Sequence, residues 1–92
     1  MIKGKTSTGF EYEVNENIRK DYRFVTALAK LHSKNEAKAI DAYSTVVSLL
    51  LGENGEEDLC QHVMDEDGIV NFTRLGEEVA EILQLLPNDL KN

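Results

Sequence analysis

The apolar residues change period once, near Asn15, and that change limits what the chain can build. Before it, Phe10-Glu11-Tyr12-Glu13-Val14 alternates apolar with polar, so Phe10, Tyr12 and Val14 share one face of a strand. After it, apolar residues recur at spacings of three and four, the period of a helix. The expected fold is mainly α, in the α+β sense. An N-terminal β-hairpin (1–14) precedes about four short helices packed as a small bundle (15–87), and 88–92 is expected to fray. The chain has 92 residues, which suits a single domain spanning 1–92.

The hairpin needs a turn, and Thr6-Ser7-Thr8-Gly9 provides one, with Gly9 free to take positive φ. The partner strand then falls near Ile2. A lone two-stranded hairpin is marginal in water, so its apolar face must rest on helices.

Asn15 can cap a first helix over 15–32, with Glu16 in its first turn. Ile18, Tyr22, Val25, Leu28, Ala29 and His32 form its stripe, widened by Phe24 and Leu31. A second helix is expected over 35–51. Ala37, Ile40, Tyr43, Val47, Leu50 and Leu51 mark its apolar side, extended by Val46 and Leu49. Gly52 should end it as a left-handed cap, and Asn54-Gly55 is a turn signal.

A third helix is expected over 56–64, with Leu59 and Val63 inward. Asp65-Glu66-Asp67-Gly68 then turns the chain, and Ile69-Val70 links to the last helix. Asn71 caps that helix over 72–86. Phe72, Leu75, Gly76, Val79, Ile82, Leu83 and Leu86 line one face, and Pro87 stops it.

The motifs that could carry chemistry fail on spacing. If Gly68 is the sixth position of a calcium loop, Asp65 and Asp67 fall at three and five. Position one is then Val63 and position twelve is Arg74, and neither ligates calcium. Cys60 and His62 are two residues apart, but His32 is the only other His and there is no second Cys, so a four-ligand zinc site is not expected. Gly4-Lys5-Thr6 echoes the end of a phosphate loop without the Gly-rich stretch before it. Asn71-Phe72-Thr73 matches a glycosylation acceptor, yet Asn71 is better placed as a helix cap. No metal, no cofactor and no enzymatic activity are expected.

Charge and location follow from composition. The net charge of −7 disfavours nucleic acid and anionic membrane surfaces as partners. Residues 1–6 carry no apolar stretch behind them, so no signal peptide is expected, and a single Cys suits a reducing cytoplasm.

The order of several short motifs points further. Residues 4–14, Asp21-Tyr22-Arg23-Phe24 with Leu28 and Ala29, Leu49-Leu50-Leu51-Gly52, Asp65-Glu66-Asp67-Gly68 and Glu77-Glu78-Val79-Ala80-Glu81-Ile82-Leu83 follow one another along most of the chain. In that order they resemble the tail assembly chaperones of long-tailed phages and prophages of Gram-positive bacteria. Two departures stand out. Ile69-Val70-Asn71 replaces the basic residue and Pro common after Gly68, and Tyr22 stands where Trp is common.

The resemblance implies a non-enzymatic protein of the host cytoplasm. It would bind the tape-measure protein, keep its apolar helices soluble and help recruit tail-tube subunits. It would be absent from the mature virion, and this chain would be the short form of a frameshifted pair. The excess of apolar helix surface fits such a role, or a homo-oligomer. Val46, Leu49, Leu50, Ile82, Leu85 and Leu86 are the expected partner-binding residues. The alternative is a small acidic inhibitor that mimics DNA before a nucleic-acid-binding enzyme. It would want carboxylates in rows, whereas here they cluster at 54–58 and 65–67.

Overall fold

The structure is a computed structural model and describes residues 1–86. It is mainly helical, with a two-stranded antiparallel hairpin at the N-terminus and three helices after it. The stop expected at Pro87 and the tail 88–92 lie outside the described residues. No helix among the described residues is long and apolar enough to cross a membrane.

Strand β1 (Ile2–Lys5) pairs with β2 (Glu11–Val14) in the register Ile2 to Val14, Lys3 to Glu13, Gly4 to Tyr12 and Lys5 to Glu11. The outward pairs are therefore Lys opposite Glu, which favours this register over its neighbours. The inward set is apolar, and Phe10 and Val14 are buried as the alternation requires. Gly9 takes φ 93 in the turn. A hydrogen bond from Thr6 N to Phe10 O, 2.9 Å, closes it.

The first helix is shorter than its apolar pattern. Asn15 makes a local turn instead of a cap, its side chain accepting from Asn17 N at 2.8 Å. Glu16 meets the Met1 amino group at 3.0 Å. A 3₁₀ turn (Ile18–Lys20) follows, and α1 (Tyr22–Lys30) starts at Asp21. Asp21 is extended and accepts from Arg23 N, so it caps the helix where Asn15 was expected to. The Arg23 side chain beside it holds the Asp21 carboxyl at about 2.

The phase of α1 also differs. Phe24 and Ala27 are buried and Leu28 and Leu31 pack on the core, while Tyr22 is 80% exposed and Val25, Ala29 and His32 face outward. Apolar residues are so dense here that two stripes fit the period. The phase that hides the whole Phe24 ring wins, because a ring offers the most area to bury.

Helix α2 (Glu36–His62) joins what the sequence divides into two helices. Asn35 caps it, accepting from Lys38 N at 3.2 Å. Gly52 breaks it, with φ 75 and ψ 173. The expected turn at Asn54-Gly55 is absent, because the chain is helical again through both residues. One glycine in extended, positive-φ backbone is enough to redirect the helix, and the Ser48 hydroxyl reaches across the break to Glu56 at 2.7 Å. The buried face is Ala42, Val46, Val47, Leu50 and Leu59, whereas Ala37 and Ile40, assigned to it by periodicity, are exposed.

The acidic 65–68 segment is a compact turn. Asp65 Oδ1 accepts from Asp67 N and Ile69 N at 3.0 and 3.1 Å, and Met64 bridges Val70. Helix α3 (Phe72–Leu85) starts at Asn71, which accepts from Arg74 N at 3.0 Å. Val79, Ile82 and Leu86 enter the core, but Phe72 does not.

Two glycines make a contrast that denaturant unfolding can read. Gly52→Ala forces a side chain onto positive φ and should cost about 1–3 kcal/mol. Gly76 is ordinary α3 interior, and a Cβ there would sit 3.5 Å from the Tyr43 hydroxyl, normal contact distance. Gly76→Ala should therefore stabilise by about 1 kcal/mol.

Candidate functional site

Two constellations stand out, one polar and buried, the other apolar and open. The first joins the hairpin tip to α3. Glu78 is only 5% exposed, and among the described residues no cation pairs with it. A buried carboxylate must be met by donors, and two hydroxyls supply them. Thr6 Oγ1 donates to Glu78 Oε1 and Thr8 Oγ1 donates to Glu78 Oε2, both at 2.7 Å.

Proton bookkeeping orders the rest. Each hydroxyl carries one proton, and both are committed to Glu78. Thr6 Oγ1 then accepts from Phe10 N at 3.1 Å. Thr8 Oγ1 also lies 2.9 Å from His62 Nε2 and 3.2 Å from Thr6 Oγ1. The His62 ring also lies 5.3 Å from Phe10, tilted by 49°. One turn further along α3, Glu81 accepts from Ser7 N at 2.6 Å and from Ser7 Oγ at 2.9 Å. Four of these hydrogen bonds end on the carboxylates of Glu78 and Glu81, and all of them join groups within the domain. The cluster is thus a clamp between elements, tying the hairpin tip to α3.

The second constellation is a cleft of about 470 Å³ where the end of α1, the first turns of α2 and the start of α3 meet. Leu31, Glu36, Ala39, Ile40, Tyr43 and Phe72 line it. Glu36, Ala39, Ile40 and Tyr43 fall at i, i+3, i+4 and i+7, one face of α2. The Tyr43 and Phe72 rings meet edge to face, centroids 5.5 Å apart. Burial pushes the Tyr43 hydroxyl up to about 12, and among the described residues that hydroxyl has no hydrogen-bond partner. Ile40 and Phe72 are each 57% exposed, so the cleft presents apolar surface to solvent.

The residues expected to bind a partner divide. Val46, Leu50, Ile82 and Leu86 are buried in the domain's own core, and Leu49 is half-buried against it. Leu85 is 52% exposed on α3. The cleft residues Ile40 and Phe72 were legible as apolar, but periodicity turns both inward. Their exposure arises because each lies in the first turns of its helix, beyond the reach of the packed centre.

Among the described residues no three of His, Cys, Asp and Glu converge as metal ligands would. Comparison with protein-family models, curated proteins and solved structures finds no match to this chain.

Cys60 is half-buried on α2. Burial, then Glu56 and Glu57, push its thiol above the ordinary range. A raised value leaves less thiolate at any pH below it, so the thiol is a poorer nucleophile. Iodoacetamide alkylation followed against pH should show a midpoint above the usual ~8.5, returning to that value in denaturant. A native midpoint at or below the ordinary one would mark an activated thiol instead.

Proposed function

We propose that this protein is a phage tail assembly chaperone that binds the tape-measure protein and helps recruit tail-tube subunits. The observation that carries the reading is the open apolar cleft at Ile40, Tyr43 and Phe72. A chaperone for long apolar helices needs an exposed apolar surface that its own fold leaves uncovered. An amphipathic helix can set one or two apolar side chains into such a cleft. The motif order from Gly4 to Leu83 supports the same class.

Charge supports it as well. Eight of the ten Lys and Arg residues precede Ala39, so the acidic excess belongs to the second half of the chain. Around α3 that excess keeps copies of the protein soluble while it suits a basic partner. The cleft has Glu36 at its edge, which favours a partner helix with Lys or Arg beside its apolar stripe.

Co-expression of the full chain with a tape-measure fragment tests this reading. The fragment should move into the soluble fraction when the chaperone is present. The double variant Ile40→Ser, Phe72→Ser gives up on the order of 2 kcal/mol of apolar burial in the complex, about thirtyfold in affinity. Its own fold should survive, since both side chains are exposed. A fragment equally insoluble with and without the protein would defeat the proposal.

A further inference from the structure

Helix α3 is attached to the domain in two unlike ways. Its inner face, Val79 and Ile82 with Leu86 just beyond, joins the core cluster that includes Val46, Val47, Leu50 and Leu59. Its polar attachments all run to the first quarter of the chain. They are the Glu78 and Glu81 clamp on Thr6, Ser7 and Thr8, and a hydrogen bond from Arg19 Nη2 to Leu83 O at 2.6 Å.

The helix is also self-contained at its start. Asn71 caps it without help from the body. The connector before it carries its own hydrogen bonds at Asp65, and residues 66–70 are all exposed. Neither the cap nor the connector relies on α3 lying where it does. Withdrawing α3 would thus break its apolar seam, the Phe72–Tyr43 ring contact, the polar clamp and the Arg19 bond, and leave the hydrogen bonds of the connecting turn intact.

We infer that α3 is a latched flap. It opens as a unit about the 65–71 connector while the hairpin, α1 and α2 remain folded, and the carboxylate clamp on the hairpin tip sets how often it opens. Opening withdraws Val79, Ile82 and Leu86 and uncovers Val46 and Leu50 in the same cluster. The closed occupant of this seam is α3 itself. The open seam fits an amphipathic helix with apolar side chains at the same three-and-four spacing, which is the chemistry of a tape-measure helix. That choice of occupant rests on the proposed chaperone function; the opening does not.

Native-state amide hydrogen exchange on the full chain separates the two. The amides of Val79 and Ile82 should exchange about tenfold faster than those of Val46, Val47 and Leu50, as a sub-global opening requires. Glu78→Gln keeps the shape but cannot accept from both Thr hydroxyls unless one reverses. Glu81→Gln weakens the more exposed half of the clamp and serves if the first variant fails to fold. Either should speed exchange in α3 by about another tenfold and leave α2 within about twofold of the parent. Exchange that rises in α2 and α3 by one common factor would overturn the flap, as would no change in α3. No partner is present in this measurement, so a failed co-expression leaves it standing, and a uniform exchange pattern leaves the chaperone reading standing.

Discussion

The carboxylate of Glu78 joins the first element of the fold to the last. Burying a charge without a cation is expensive, and the domain meets that cost with hydroxyls placed seventy residues upstream. The turn at the hairpin tip brings the Thr6 and Thr8 hydroxyls together, 3.2 Å apart, and each reaches one oxygen of the same carboxylate. The same two residues, through Phe10 N and His62 Nε2, tie the turn to itself and to the end of α2. A two-stranded hairpin cannot stand alone in water. Here it is held beneath by Phe10 and Val14 and at its tip by α3.

Beneath the hairpin the three helices share one core. Phe24, Val46, Val47, Leu59 and Ile82 close the core from three helices, each almost without exposure. Gly52 lets α2 change direction, so that Val46 and Leu59 from its two halves serve the same cluster. Ile40 and Phe72 stay uncovered near the starts of α2 and α3. The Ile40 and Phe72 cleft and the clamped α3 seam are thus different surfaces, one permanently open and one closed by the protein's own helix.

Much of the local structure is legible in the sequence. The alternation at 10–14, the turn at 6–9, and the cap at Asn71 each depend on chemistry within a few residues, and each is where that chemistry puts it. The misreadings have a common cause. The phase of α1, the helical path through Asn54-Gly55 and the exposure of Ile40 and Phe72 depend on which neighbours arrive from elsewhere in the chain, whereas the break expected at Gly52 is present at φ 75. Glu78 is the clearest case. On an amphipathic helix a Glu beside Val79 reads as a solvated residue, and nothing local reveals that the hydroxyls of Thr6 and Thr8 will bury it. The same limit applies to the expected partner residues, since Leu85 is exposed while Val46, Leu50, Ile82 and Leu86 complete the core.

The clamp is best tested by a double-mutant cycle between Thr6→Val and Glu78→Gln, each variant and the pair unfolded in urea. A bond that organises the fold makes the two substitutions strongly non-additive, with a coupling of about 1–3 kcal/mol. Effects that add to within about 0.3 kcal/mol would show that the hairpin and α3 meet without depending on each other, and would contradict the central role of Glu78.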